Sequence, residues 1–173
     1  MGFRVLMIAI KGKDLDVIHR EYGVAPTGKR EEIPESPVIG APLPSKAYLL
    51  YINDEIEPDE RVFARLSKGA SLIACYANET VMNSYASGWV NGVQKWSVLH
   101  DAQQGIDHLE TDGELPEEMN SIQENLVRPQ ANDQDVDHIF DIPIQLFQSL
   151  GGIRYDQDIE GAGPSPWQTL ARR

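Results

Sequence analysis

Cysteine is nearly absent from this sequence of 173 residues, in which Cys75 is the one example. A single thiol excludes a disulfide within the chain and a metal site built from several cysteines. Cys75 also lies in an apolar run, SLIACY, which is typical of a buried strand and not of a reactive thiol near positive charge. The sequence therefore predicts neither a disulfide framework nor a cysteine nucleophile.

Basic residues are also scarce, with 15 Lys and Arg against 27 Asp and Glu, which gives a net charge of −12. This excess disfavours binding to nucleic acids or anionic membranes, because both carry negative phosphates. The imbalance is concentrated in residues 101–160, which hold 15 acidic and 2 basic residues, whereas residues 1–100 hold 12 and 11. Such a segment indicates either a solvated acidic face or a surface that binds a basic partner.

No catalytic motif is recognisable in the sequence, and the N-terminal residues are expected to be a strand and not a secretion signal. The sequence contains neither Gly-x-Ser-x-Gly nor His-Glu-x-x-His, and no glycine-rich phosphate-binding loop. Residues 3–10 form a short apolar run without the charged leader and cleavage site of a signal peptide. We expect this run to be a strand, the protein to be cytoplasmic, and neither a cofactor nor a metal to be bound.

Hydrophobic periodicity predicts a single α+β domain over residues 1–155, followed by a C-terminal tail over residues 156–173. The predicted element order is β-α-β-α-β-β-β-α-α, with helices packed on a mostly antiparallel sheet in a two-layer sandwich. A central meander is expected because the Asn-Gly pair at residues 91–92 separates two strand-like segments. In the tail, Trp167 and Leu170 either dock on the domain or stay loose.

Proline and acidic residues mark the ends of several predicted elements. Residues 24–45 contain five prolines and two glycines, which predicts a long packed loop because proline disfavours helix interiors and central strands. A helix that begins at Pro116 is expected to end at Pro129. The acidic residues of segment 54–60 are interpreted as stabilising the start of another helix.

Two imidazoles and three carboxylates follow the meander closely, namely His100, Asp101, Asp107, His108 and Glu110. These residue types can hold a metal ion or act as general acid and base. The spacing of the two histidines, however, matches no established ligand pattern. Two interpretations remain: a catalytic or metal site, or hydrogen bonding at a sheet edge where His108 and Glu110 share one face.

The same part of the chain is similar to known sequences. Residues 96–109 read WSVLHDAQQGIDHL, with SGW before them at 87–89 and FDIP after them at 140–143. This pattern resembles an uncharacterised family of small bacterial proteins, and the resemblance extends over most of residues 3–155. Because no activity is established for that family, the resemblance implies a bacterial origin and no catalytic residue.

Aromatic and acidic residues around this segment suggest a binding role. Trp89 and Trp96 are candidates for an aromatic interaction patch, although both also suit a core. The remaining candidate binding residues are polar or acidic: Gln103, Gln104, Glu114, Asp133, Asp135 and Asp137. We expect an acidic protein-binding module, such as an immunity or antitoxin-like protein that neutralises a basic toxin or effector. The alternative is a small metal-dependent hydrolase that uses the segment from His100 to Glu110.

Overall fold

The computed structural model describes residues 2–53 and 57–173, and these residues form one antiparallel sheet of nine strands. The strands are β1 (Arg4–Lys11), β2 (Val24–Glu31), β3 (Val38–Pro42), β4 (Tyr48–Ile52), β5 (Ser71–Asn78), β6 (Asn83–Val90), β7 (Val93–Asp101), β8 (Glu110–Gly113) and β9 (Trp167–Arg172). Their order across the sheet is β2-β9-β3-β4-β1-β5-β6-β7-β8. The predicted α+β class and antiparallel sheet with a meander are confirmed.

Four α-helices accompany the sheet in the described part of the chain: α1 (Leu15–Tyr22), α2 (Glu60–Leu66), α3 (Glu118–Asn132) and α4 (Asp141–Ser149). A short 3₁₀ turn, Ala102–Gln104, follows β7. Within the described residues, none of the helices combines the length and the apolar character needed to cross a bilayer.

Both faces of the sheet are covered by helices. Side chains alternate along β1, so that Met7 packs in a cluster with Phe147 of α4, while Ile8 packs with Ile18 of α1 and Phe63 of α2. Helix α3 lies on the same side as α4. The sheet is therefore the middle of three layers, one more than the sequence predicted, because the helices are divided between the two faces.

The prediction of a long packed loop over residues 24–45 is wrong, since this segment contains β2 and β3. The prolines are accommodated at positions where a strand tolerates a missing N–H. Pro26 lies on β2, which is an edge strand, and Pro42 is the last residue of β3. The register of β2 shifts between Pro26 and Arg30, so Pro26 is the last residue of the first regularly paired stretch.

The sequence predicted where α3 ends and how α2 begins, and only the second prediction agrees with the structure. The end of α3 expected at Pro129 is wrong, because the helix continues to Asn132 with the proline in its last turn. There the missing N–H costs one backbone hydrogen bond and leaves the preceding turns intact. At the start of α2, the Asp59 carboxylate accepts a hydrogen bond from the Arg61 N–H at 2.9 Å, as expected for an acidic N-cap. Residues 54–56 of the acidic segment lie outside the described residues.

The C-terminal segment forms part of the sheet. Strand β9 lies between β2 and β3 and pairs with both. Trp167 is buried, and its ring contacts the Tyr51 ring edge-on at a centroid distance of 5.3 Å. Leu170 is buried on the opposite face, in the cluster that contains α1 and α2. Of the two possibilities for these side chains, the structure therefore shows docking.

The meander of β5, β6 and β7 determines where the candidate site residues lie. Asn91 and Gly92 both have positive φ, of 48° and 81°, as a tight turn between β6 and β7 requires. Beyond this turn, Trp96 and Val98 face the side of the sheet that α3 and α4 cover, as the alternation along the strand predicted. The side chain of His100, two residues further along β7, lies on the same face.

Candidate functional site

His100 is completely buried, and both of its ring nitrogens have partners. Its Nε2 lies 2.7 Å from Oδ2 of Asp137, and its Nδ1 lies 2.5 Å from the carbonyl oxygen of His108. Because a carbonyl only accepts, Nδ1 carries a proton, and the contact with Asp137 requires a second proton held between the two groups. His100 thus connects β7 to the turn that follows it and to the segment between α3 and α4.

The second imidazole, His108, lies nearer the surface and is also fully hydrogen-bonded. Its Nδ1 accepts a hydrogen bond from the backbone N–H of Asp101 at 2.9 Å, and its Nε2 lies 3.1 Å from Oε1 of Glu110. These partners place the proton on Nε2, so the ring is in its neutral form with Nε2–H as donor. His108 therefore holds the turn between β7 and β8 closed, and it shares a side with Glu110 as the sequence predicted.

The remaining polar residues of this segment shape the turn. Asp101 caps the 3₁₀ turn by accepting from the Gln103 N–H at 3.0 Å and from Nε2 of Gln104 at 3.3 Å. Gly105 ends the turn with φ of 142°, a conformation that favours glycine. Asp107, Gln103 and Gln104 are exposed. The motif in residues 96–109 is thus explained largely by the geometry of one strand and one turn.

Metal binding would compete with this hydrogen bonding. The rings of His100 and His108 lie 6.2 Å apart, but every ring nitrogen of the pair already has a protein partner. A metal ligand needs a lone pair directed at the ion about 2 Å away. Throughout residues 2–53 and 57–173, no group of three or more His, Cys, Asp or Glu side chains is arranged to hold a metal ion.

The single thiol lies outside this cluster. Cys75 is completely buried in β5, and burial raises the pKa of its thiol well above the usual range. Because the thiolate is the nucleophilic form, this environment suits a packing role.

Gln130 organises the acidic segment between α3 and α4, a role that the sequence did not indicate. It is buried, and its Nε2 donates to the carbonyl oxygens of Asp133 and Val136 at 2.8 and 3.0 Å. Its Oε1 accepts from the backbone N–H groups of His138 and Ile139 at 2.7 and 3.3 Å. One amide side chain therefore satisfies four backbone groups and fixes the path of this segment toward Asp137.

Replacing Gln130 with leucine is expected to lower the free energy of unfolding by about 2 kcal/mol, because it leaves buried backbone groups without partners. Urea denaturation measures the loss, and hydrogen exchange is expected to accelerate selectively over residues 133–139. Gln123→Leu is the matched control, since Gln123 is exposed on the same helix. An equal loss in both variants would contradict this role for Gln130.

The two candidate tryptophans lie on opposite faces of the sheet and do not form one exposed patch. Trp89 packs edge-on against Phe63 of α2 at a centroid distance of 6.0 Å, and its Nε1 donates to the Ser87 hydroxyl at 2.9 Å. Trp96 lies on the side of α3 and α4. Both are more than nine-tenths buried.

The candidate carboxylates differ in their surroundings. Glu114 and Asp135 are exposed. Asp133 accepts from the Asp135 N–H at 3.0 Å and pairs with Nε2 of His138 at 3.2 Å, and these bonds lower its pKa. Asp137 is nearly buried, since it binds His100 and also accepts from the Phe140 N–H at 3.0 Å. Only the exposed members are therefore available to a partner.

Comparison with known proteins gives no further assignment, since no family model, curated protein or solved structure matches this chain. The site is therefore defined by its own geometry. That geometry consists of a hydrogen-bonded core around His100 and Gln130, surrounded by exposed carboxylates.

Proposed function

We propose that this protein is a cytoplasmic, acidic protein-binding module whose partner presents a basic surface, as expected of an immunity or antitoxin-like protein. The main support is a set of exposed carboxylates from segment 101–160 that form no hydrogen bond or ion pair with the described residues. They are Asp107, Asp112, Glu114, Glu117, Glu118, Asp135, Asp158 and Glu160. Membership of the uncharacterised bacterial family that residues 96–109 resemble is part of the same proposal.

The position of these carboxylates supports an interaction surface. Asp107 and Asp112 lie beside or on β8 at one edge of the sheet, and Glu117 lies at the start of α3. The opposite edge is β2, which carries Lys29 and Arg30. The like charges near β8 repel one another, so a basic partner both relieves this repulsion and is attracted over a distance. Glu160 lies apart from them, since it lines a pocket together with Arg30 of β2.

The alternative of a metal-dependent hydrolase has less support. Its candidate ligands His100 and His108 would have to give up their present hydrogen bonds before an ion could bind. Metal analysis of the purified protein addresses this alternative directly, because a bound hydrolytic metal is expected near one equivalent per chain.

The first experiment is capture of the partner from a lysate of the source cell at about 50 mM and about 500 mM salt, since electrostatic attraction between exposed charges is screened at the higher concentration. One basic protein recovered near one-to-one at low salt is the expected result. Recovery of an acidic partner, or of nothing at either concentration, would contradict the proposal.

With the captured partner, neutralising three unpaired carboxylates tests the surface itself. We expect the triple variant Asp112→Asn, Glu114→Gln, Glu117→Gln to reduce the association rate about tenfold at low salt, because these charges steer the encounter. Stopped-flow or surface-binding kinetics measure the rate, and the difference from wild type is expected to shrink as salt rises.

A second triple variant, Asp16→Asn, Glu32→Gln, Glu35→Gln, is the matched control. It changes the net charge by the same amount at exposed positions outside segment 101–160. If both variants slow association equally, the attraction comes from total charge alone and the proposed surface is incorrect.

A further inference from the structure

A partly enclosed cavity of about 250 Å³ opens between the sheet and the C-terminal end of α4. Strand register places Ala9, Ile73 and Gly88 side by side on β1, β5 and β6, and these residues line it from the sheet side. Other apolar residues that line it are Ala47, Trp96, Pro116 and Leu150. The cavity is separate from the hydrogen-bonded cluster around His100.

Trp96 contributes an unused hydrogen-bond donor to this cavity. Its indole lies across Gly88, so closely that a Cβ at position 88 would overlap Nε1. The Trp96 side chain is more than nine-tenths buried, and its N–H has no acceptor among the described residues, whereas Trp89 donates to Ser87. In the described part of the chain, the Thr169 hydroxyl is the one buried side-chain polar atom without a partner, so the Trp96 N–H is open to solvent. It is therefore available to an acceptor atom that enters the cavity.

A positive charge lies at the same cavity. Lys11 is two residues beyond Ala9 on the same face of β1, lines the cavity, and is exposed at its mouth. Its ammonium forms no hydrogen bond or ion pair within residues 2–53 and 57–173, whereas nearby Lys13 binds Glu21 at 3.1 Å. Lys95 of β7 also lines the cavity and has no ion pair among the described residues, so two lysines border this site.

We propose that this cavity binds a small carboxylate with an apolar body. The carboxylate accepts a hydrogen bond from the Trp96 N–H and pairs with Lys11, while the apolar body packs on Ala9, Ile73 and Leu150. Charge-assisted hydrogen bonds of this kind give both orientation and preference for the anion. The volume limits the ligand to roughly ten non-hydrogen atoms, below the size that fills a drug-sized pocket. The site does not depend on the proposed protein partner.

The test is a titration of the ¹⁵N-labelled full chain with phenylacetate, in which the indole N–H signals of the three tryptophans are followed. The Trp96 signal is assigned by its loss in Trp96→Phe. We expect this signal alone among the indoles to move and to saturate. The neutral isostere phenylacetamide is expected to bind about tenfold more weakly, as the loss of one charge-assisted contact predicts.

Two lysine variants test whether the positive charge of Lys11 contributes to phenylacetate binding. Lys11→Met is expected to weaken phenylacetate binding about tenfold, while Lys29→Met, at an exposed position on β2, leaves it unchanged. Lys11 is exposed, so this comparison remains informative even if Trp96→Phe does not fold. The proposal is overturned if the Trp96 signal does not shift up to about 20 mM phenylacetate, a limit that corresponds to negligible affinity. Equal affinity for acid and amide, or equal effects of the two lysine variants, would also overturn it.

Discussion

Replacing His100 with leucine is expected to lower the free energy of unfolding by about 3–5 kcal/mol, which is the range for breaking a buried charged pair. The substitution leaves Asp137, whose side chain is only 8% exposed, without its imidazole partner. It also removes the hydrogen bond to the His108 carbonyl, which closes the turn after β7. Urea denaturation followed by circular dichroism measures the loss.

His138→Leu is the matched control for this prediction. His138 pairs with Asp133 at 3.2 Å, and both side chains are substantially exposed, so a much smaller loss is expected. Combining His100→Leu with Asp137→Asn is expected to recover part of the stability, since the amide has no charge and retains the oxygen that accepts from the Phe140 N–H. If His100→Leu costs no more than His138→Leu, the buried pair does not stabilise the fold.

The sequence identified the residues of this cluster but not their roles. Contacts between neighbours in the chain were predictable, as for His108 and Glu110, which lie on one strand-like segment and meet at 3.1 Å. The decisive partner of His100 is Asp137, which is 37 residues away and reaches it only after α3 has reversed the chain direction. Spacing rules describe a single element and carry no information on such a pair.

The same distinction applies to the strands. The meander was predictable because each of its turns joins consecutive strands, and Asn91-Gly92 specifies one of these turns locally. Strand β2 was missed because proline counts describe local preference, whereas its partner β9 comes from the other end of the chain. Strand β3 was missed although it pairs along its whole length with the next strand, β4.

The sequence predicted the distribution of charge well for whole segments but poorly for the environment of each charged residue. The concentration of acidic residues after position 100 was evident from counting. Composition alone did not distinguish Asp137, which is paired in the interior, from Asp135, which is exposed two residues earlier. This difference depends on the path that Gln130 imposes on the backbone.

Removing residues 167–173 is expected to abolish cooperative folding, because β9 is the only strand among the described residues that connects β2 to the rest of the sheet. Its two large side chains stabilise opposite faces: Trp167 packs in the cluster with α4, and Leu170 packs in the cluster with α1 and α2. Loss of a buried tryptophan costs about 3–5 kcal/mol and loss of a buried leucine about 2–5 kcal/mol. Their sum is comparable to the whole stability of a typical domain, about 5–15 kcal/mol.

Thermal unfolding followed by circular dichroism, together with the dispersion of the amide proton spectrum, measures this effect. Deletion of Arg173 alone is the control, since it removes one backbone hydrogen bond to the Gly23 carbonyl and leaves β9 in place. If the sheet needs β9 for its continuity, the thermal unfolding transition disappears when residues 167–173 are removed. The transition persists when Arg173 alone is removed. A cooperative transition in the 1–166 fragment would mean that β1 and β3–β8 form a stable unit and that the C-terminal strand is an addition to it.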